Sequence, residues 1–457
     1  MTNHELEKLI KQFSVFEWLV FIKVVETMSG KYIEKLTLDE SKLFNLTNSN
    51  WYPIIMDLAI RFSSYDTTDM IEIYDFKMNN AYQQFIPLYV NHHDDLEKYK
   101  KDLKNNVNLM LSRAMNEQLR HTSPYINSLG RLIKLYEGKD TLFKQEFGLT
   151  NKQMIVFYFM SKELSKIDKS PSNIILYEVI QKIDSSIKKK DFERFLNNFS
   201  ISIKNYRLKA KELGITKHTI KCERLIYKYP IIIHNASYMI PSMNVLLDVL
   251  SYKIFDKLNE NSSESFKRDF GDEFENYIRE MTQHFHDENM YECDELITKD
   301  SKKRAEFYLL KNNISLVIEA KVLAIDEKMI IDSDIKELEK KFKNTIGNAI
   351  KQMNSCSDKC PNMYGLIVIH THIPTINNFF QKYKSSLVPQ LKNKVVLISV
   401  VEYENLISKS FEKIIEQINL LSHNSFNIIE STENEYLRTK YNEYITPIIE
   451  TIEKETV

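Results

Sequence analysis

The sequence predicts a protein in two parts: a helical N-terminal half, followed by an α/β domain with a mixed sheet that helices cover on both faces. In the first half, apolar residues recur at steps of three and four, which places them on one face of a helix. After residue 263, such helical stripes alternate with short strand-like runs. The polar segment 259–264 lies where the pattern changes and marks the domain boundary.

Three regions are expected along the chain. Residues 1–215 form an all-helical domain that acts in recognition or as a scaffold, residues 216–262 form a basic connector with a hairpin and a helix, and residues 263–457 form the α/β domain. The apolar stripes of the first domain lie at 6–20, 103–119, 125–136 and 154–164.

The order of elements in the third region follows from its hydrophobic periodicity and turn signals. The predicted elements are a helix over 264–285, strands over 291–298, 304–310 and 315–322, a helix over 335–353, a strand over 364–370, a helix over 377–391, a strand over 395–401 and a helix over 411–421. A domain of this kind combines antiparallel and parallel strands in one sheet.

Composition excludes several classes of function. The 8 glycines of the 457 residues are so widely spaced that no glycine-rich phosphate loop can be written. The net charge of −1 means that any contact with nucleic acid needs a local basic patch. Four cysteines form no disulfide framework, and residues 1–14 lack the apolar core of a signal peptide, so we expect a reduced, cytoplasmic protein that does not enter the membrane.

A basic stretch lies at the end of the first region. Residues 201–230 contain eight lysines and arginines against two glutamates. This composition fits a patch that follows a phosphate backbone, and it fits a solvated helix face equally well.

Candidate catalytic side chains lie on a predicted hairpin between residues 304 and 321. Since side chains alternate along a strand, Glu319 and Lys321 share one face at the end of the second strand. The hairpin brings Glu306 close to Glu319. Two carboxylates beside an ammonium suit a hard cation such as Mg²⁺, and the ammonium can stabilise negative charge on a phosphate. The alternative is an ion pair at an exposed strand edge, with Glu306 in solvent.

Two helices add polar residues to this site. Glu275 lies on the flank of the apolar stripe of the helix over 264–285, and Gly271, one turn earlier, is expected to allow a close approach to the sheet. Gln352 flanks the stripe of the helix over 335–353, where its amide can reach the edge of the site.

These residues resemble the PD-(D/E)XK nuclease superfamily over about residues 263–421. The shared features are the helix with Gly-x-x-Phe-Glu-x-Tyr at 271–277, the acidic strand Ala-Glu-Phe at 305–307, the strand Ile-Glu-Ala-Lys at 318–321 and the following helix that contains Gln352. The chain departs from the family where it has Glu306 in place of the usual Asp and Ala305 in place of Pro, and the longer side chain must shift the geometry of the carboxylate.

The resemblance implies a restriction-endonuclease-like fold and a role for each residue. Glu306, Glu319 and Lys321 would form the catalytic and metal-binding core, with Glu275 as an auxiliary acid and metal ligand and Gln352 as a residue at the edge of the site. The implied cofactor is Mg²⁺, with Mn²⁺ as a substitute.

The implied activity is endonucleolytic hydrolysis of DNA phosphodiester bonds. A looser likeness to bacterial defence nucleases adds an expected role against phage, with phage or plasmid DNA as substrate and a companion defence subunit as a candidate partner. Cutting both strands of a duplex would favour a homodimer. The alternatives are a catalytically degraded, nuclease-like protein that binds nucleic acid or a partner, and a nuclease directed at RNA.

Overall fold

The computed structural model describes residues 3–29, 52–64, 81, 84, 125–167, 173–212, 225–234, 237–261, 264–293, 305–323, 335–360, 362–370, 380–423 and 432–456. The chain divides into two compact units: residues 1–104, 136–254 and 443–457 form the first, and residues 105–135 and 255–442 form the second. The helix predicted over 103–119 lies outside the described residues. In the part of the chain that is described, no helix has the length and apolar character needed to cross a bilayer.

Helices make up most of the described chain. They are α1 (Asn3–Ile10), α2 (Val15–Ser29), α3 (Tyr52–Phe62), α4 (Tyr125–Leu135), α5 (Asp140–Phe147), α6 (Asn151–Ile167), α7 (Asn173–Ile183), α8 (Lys189–Phe199), α9 (Ile203–Glu212), α10 (Leu225–Lys228), α11 (Met243–Asp248), α12 (Ile254–Asn261), α13 (Glu264–His286), α14 (Ile335–Cys356), α15 (Val400–Ile407), α16 (Phe411–His423) and α17 (Glu435–Thr456). A π-helical turn, Val249–Lys253, joins α11 to α12.

The start of α6 shows how the sequence sets helix ends in the first unit. Gly148 follows α5 with φ of +89°, a left-handed conformation that favours glycine. The hydroxyl of Thr150 accepts the backbone N–H of Gln153 at 3.2 Å, and the Gln153 side chain accepts the backbone N–H of Thr150 at 3.0 Å. This reciprocal pair is a capping box, a local sequence signal that starts the helix after Gly148.

The first unit also contains a small sheet of three strands, β1 (Ser200–Ser202), β2 (Ile231–His234) and β3 (Ser237–Met239). β2 pairs antiparallel with β3, which confirms the hairpin expected before α11. β1 pairs parallel with β2 and lies inside the region that was predicted to be all-helical. The reason is non-local, since the partner that satisfies the backbone of β1 lies about thirty residues further along the chain.

The second unit is built on a sheet of five strands, β4 (Met290–Glu292), β5 (Phe307–Lys311), β6 (Ile314–Lys321), β7 (Tyr364–Ile369) and β8 (Val395–Ser399), in that spatial order. β4, β5 and β6 pair antiparallel, whereas β6, β7 and β8 pair parallel. The predicted α/β architecture with a mixed sheet is therefore confirmed at this level. Asn312 and Asn313 form the β5–β6 turn with φ of 51° and 60°, the conformation of a tight two-residue hairpin.

Helices pack on both faces of this sheet. Ile346 and Met353 of α14 share one buried cluster with Val317 and Ile367 of the strands. On the other face, α13 packs against β6. Because side chains alternate along a strand, Glu319 and Lys321 lie on the same face as Val317, beneath α14.

A buried ion pair ties α4 into the second unit. The Arg131 guanidinium of α4 donates to both carboxylate oxygens of Glu404 on α15, at 2.5 and 2.7 Å. The hydroxyl of Tyr277 on α13 donates to the same carboxylate at 2.7 Å. Both charged side chains are fully buried, so this network fixes the relative positions of three helices in the unit.

Three predicted elements differ from the structure. The strand predicted over 291–298 corresponds to β4, which ends at Glu292, and residues 294–298 lie outside the described residues. The predicted strand over 395–401 ends at Ser399, because the Ser399 hydroxyl accepts the N–H of Glu402 and the Glu402 side chain accepts the N–H of Ser399, which starts α15. The described part of the predicted helix over 377–391 consists of two short 3₁₀ segments, Gln381–Ser386 and Pro389–Leu391.

Candidate active site

The centre of the candidate site is the end of β6. Glu319 is fully buried, and its carboxylate contacts the ammonium of Lys321, two residues further along the same face. Apart from this contact, the Glu319 carboxylate has no hydrogen-bond partner in the part of the chain that the structure describes. A buried carboxylate with a single partner is costly to maintain. The ion pair of the alternative interpretation exists, but it is buried and does not lie on an exposed edge.

Glu306 meets this pair from the neighbouring strand. It directly precedes β5, where Phe307 pairs with Ile318, so that the next positions in register are Glu306 and Glu319. The Nζ atom of Lys321 lies 3.5 Å from Oε1 of Glu306 and also contacts Glu319. The structure therefore brings the three predicted core residues together around one ammonium group.

The third predicted acid, Glu275, approaches from α13. It lies within hydrogen-bonding reach of Glu306 and contributes to raising the pKa of that residue. It also forms an ion pair with Arg279, one turn later, at 3.1 Å, and Arg279 contacts Glu292 of β4 at 3.2 Å. Gly271 does not provide the close approach that was predicted, since a Cβ atom there would meet no atom within 4 Å.

Burial dominates the electrostatics of the cluster. It raises the pKa of Glu319 to about 8 and that of Glu306 to about 7, while Lys321 acts in the opposite direction on both. Burial alone would lower the pKa of Lys321, but Glu319 and then Glu306 outweigh it, so the pKa of the ammonium lies above its ordinary value. At neutral pH this site holds a permanent positive charge beside two carboxyl groups that are close to their titration point.

The donor set fits a hard divalent cation in its chemistry. Two carboxylates converge, and among the described residues only Lys321 contacts the carboxylate oxygens of Glu319. As the side chains stand, however, no group of three or more acidic, histidine or cysteine residues among those described is arranged to hold a metal ion. In this arrangement the Lys321 ammonium bridges the carboxylates and supplies the positive charge.

Gln352 is half-buried on α14 and lies one turn before Cys356. The backbone N–H of Ala305, the residue before Glu306, donates a hydrogen bond to the Cys356 thiol. The end of α14 is thus fastened beside the Glu306 segment. Cys356 and its neighbour Cys293 are buried free thiols, and their mutual hydrogen bond is the main reason why the pKa of Cys356 falls to about 6. Sequence reasoning did not link these cysteines to the site, because the link depends on tertiary contacts.

Other polar candidates have structural roles. His370 follows β7 and is buried against the rings of Phe255, Phe270 and Phe274, and its burial lowers its pKa to about 3, so it is a neutral packing residue. Within the basic stretch 201–230, Arg207 donates to the carbonyls of Ile60 and Ser63 at 2.7 and 2.5 Å at the end of α3. This arginine caps a helix and is not available for phosphate.

Comparison with known proteins adds no further assignment to this geometry: no family model, no curated protein and no solved structure matches the chain.

Proposed function

We propose that the second unit is a metal-dependent DNA endonuclease of the PD-(D/E)XK type, with a restriction-endonuclease-like fold. The observation that supports this most directly is the convergence of Glu306, Glu319 and Lys321 on one face at the end of β6. The order of an acidic helix, an acidic strand, the Glu-x-Lys strand and a further helix agrees with the order that the resemblance implies.

The chain's own residues have distinct parts in this proposal. Glu306 and Glu319, with Glu275 beside Glu306, are the groups that would hold Mg²⁺ or Mn²⁺. When bound, the cation supplies a Lewis acid for the phosphate and lowers the pKa of a water molecule. Lys321 then stabilises the negative charge that develops on the phosphate oxygens during hydrolysis. Gln352 is assigned to the edge of the site, next to the substrate.

Burial links cation binding to deprotonation in this mechanism. Because Glu319 and Glu306 have pKa values of about 8 and 7, both carboxyl groups are partly protonated at neutral pH when Lys321 is the cation beside them. A divalent cation favours the ionised form of both carboxylates. The site is therefore expected to release protons when it takes up metal, and Lys321 is then free to turn toward a phosphate.

Plasmid cleavage tests the proposal. Supercoiled DNA is incubated with the parent protein and with the variants Glu319→Gln and Lys321→Met, in the presence of Mg²⁺, Mn²⁺ or EDTA. The parent should cut with either metal and not with EDTA, and both variants should lose at least a hundredfold in rate, as expected when a charge-stabilising group is removed. Glu412→Gln is the matched control, because Glu412 forms an exposed ion pair with Lys311 at 2.8 Å on the same unit. Equal cutting by all four proteins would refute the assignment.

A second candidate function is a catalytically degraded, nuclease-like module that binds nucleic acid or a partner. The observation that favours it is the bridging position of Lys321, which already neutralises the two carboxylates without a metal. Calorimetric titration separates the two functions. A degraded module should take up neither Mg²⁺ nor Mn²⁺, whereas the nuclease should bind both and lose binding in Glu319→Gln. Offering structured RNA beside supercoiled DNA identifies an RNA-directed enzyme.

The physiological role that we propose is defence against phage in the cytoplasm, with phage or plasmid DNA as substrate. A homodimer would place two such sites on opposite strands of a duplex. A phage-plating assay with the parent and with Glu319→Gln tests the role, and equal plating efficiency on both strains would count against it. Co-purification from the native host tests for a companion subunit.

A further inference from the structure

Lysines outnumber acidic residues in α14. The whole chain has 62 basic and 63 acidic residues, yet residues 340–356 contain four lysines and no aspartate or glutamate. The four are Lys340, Lys341, Lys343 and Lys351. The two glutamates of the helix, Glu337 and Glu339, lie before this segment, so α14 as a whole has five lysines against two acids and a net charge of +3.

Most of these polar residues lie on one side of the helix. At 100° per residue, the side opposite the buried Ile346, Ala349 and Met353 is formed by exposed residues and one glycine. We call this side the basic face of α14; it consists of Lys340, Lys343, Asn344, Gly347, Asn348 and Lys351. Lys343 and Lys351 form no ion pair with any residue that the structure describes. The face is therefore charged and amide-rich, and it has no large apolar side chain.

Gly347 lies at the centre of the basic face, between Lys343 and Lys351. A Cβ atom there would meet nothing within 4 Å, so packing inside the protein does not require a glycine. Glycine also lowers the stability of a helix interior. A partner that approaches the helix backbone closely at this point would account for it.

The basic face leads toward the candidate active site. Its last residue, Lys351, is followed by Gln352 and, one turn later, by Cys356, whose thiol accepts the N–H of Ala305. Ala305 directly precedes Glu306 on the strand. A linear partner that lies along α14 would thus reach the end of the helix that is fastened beside the acidic cluster.

We propose that the basic face of α14 binds the sugar–phosphate backbone of duplex DNA and positions it for Glu306 and Glu319, an inference that rests on the proposed function. Lysines and asparagines are typical donors to phosphate oxygens, and such contacts fix register without reading sequence. Lys340 and Lys351 are separated by about 16 Å along the helix axis, which matches about five base pairs of duplex. A protein partner would require apolar anchors, which this face lacks.

The test is duplex binding without cleavage. The full chain is titrated in EDTA against a fluorescent 30-base-pair DNA and against an RNA duplex of the same sequence, from 50 to 300 mM salt. Lys343→Ala/Lys351→Ala should bind DNA about tenfold or more weakly at 0.1 M salt, and the slope of log K against log salt should fall by about 2. Gly347→Glu should bind weakly as well, while circular dichroism shows an unchanged helix content.

The matched control is Lys392→Ala/Lys413→Ala, which removes two exposed lysines of the same unit outside α14 and should leave DNA binding unchanged. The proposal is overturned if the parent does not bind duplex DNA, if the α14 double variant binds DNA as the control does, or if only RNA binding is lost. A different result would refute the proposed function alone. If the parent binds DNA through α14 but does not cut it with Mg²⁺ or Mn²⁺, the DNA-binding surface is supported and the nuclease activity is refuted.

Discussion

Replacing the buried carboxylate of Glu319 by an amide should stabilise the protein while it abolishes metal uptake. Glu319 is fully buried, and its pKa of about 8 lies far above its ordinary value of 4.5 because of that burial. An acid with a raised pKa in the folded state favours folding only in its protonated form, so stability is lost as the pH rises from the unfolded to the folded pKa. The window in which this loss occurs runs from about pH 4.5 to about pH 8.

The size of the effect follows from the two pKa values. Each pH unit inside the window costs about 1.4 kcal/mol of unfolding free energy. In comparison with a neutral side chain of the same size, Glu319 therefore costs about 1 kcal/mol at pH 5 and about 3 kcal/mol at pH 7. Glu319→Gln should gain these amounts in the absence of metal, and it should have a smaller loss of stability between pH 5 and pH 8 than the parent. Active sites commonly trade stability for function in this way.

Chemical denaturation followed by circular dichroism at pH 5, 7 and 8 measures the gain, with EDTA present throughout. Adding Mn²⁺ in a parallel series should stabilise the parent and not the variant, because only the parent retains the carboxylate. The exposed pair variant Glu412→Gln should not reproduce the gain at any pH. A Glu319→Gln protein that is less stable than the parent at pH 7, with the same dependence on pH, would refute the reasoning.

Three further predictions concern the same fold. Metal affinity, measured by calorimetry, should rise between pH 6 and pH 8.5, and metal binding should release protons. The reason is that Glu306 and Glu319 have pKa values of about 7 and about 8, so protons compete with the cation in this range. A metal affinity that does not change with pH would contradict this. Arg131→Met should lower the free energy of unfolding, measured by chemical denaturation, by about 3–5 kcal/mol, because it leaves the carboxylate of Glu404 buried without its cation. A decrease of less than about 1 kcal/mol would show that water reaches the carboxylate. Gly148→Ala should lower the melting temperature, because φ is +89° and the new Cβ would collide with the backbone oxygen of Asp191. An unchanged melting temperature would mean that the turn rearranges.

The candidate site shows which features the local sequence pattern can predict. The two-residue period of a strand placed Glu319 and Lys321 on one face, and the asparagine turn at 312–313 placed Glu306 opposite Glu319. These are consequences of covalent geometry over fewer than twenty residues, so a sequence contains them. The same holds for the start of α6, where the capping residues adjoin the helix that they begin.

The basic residues show which features the local sequence pattern cannot predict. The stretch 201–230 has the higher density of lysine and arginine, but Arg207 donates to backbone carbonyls at the end of α3, about 145 residues earlier in the chain. The lysines of α14 were not singled out, because only packing on the sheet decides which side of that helix faces solvent. The 3.6-residue period of a helix does not by itself determine which side faces solvent; the element against which the helix packs determines that.

The sequence by itself determined the mixed sheet, its main helices and the grouping of three reactive side chains at one strand end, because helix and strand periodicity and turn chemistry act between near neighbours. Only the tertiary structure decided that Glu319 is fully buried and that Arg131 pairs with Glu404. These features depend on the removal of charged groups from water. The free energy of a buried charge is set by the groups packed around it, and these groups come from residues that are far apart in the chain.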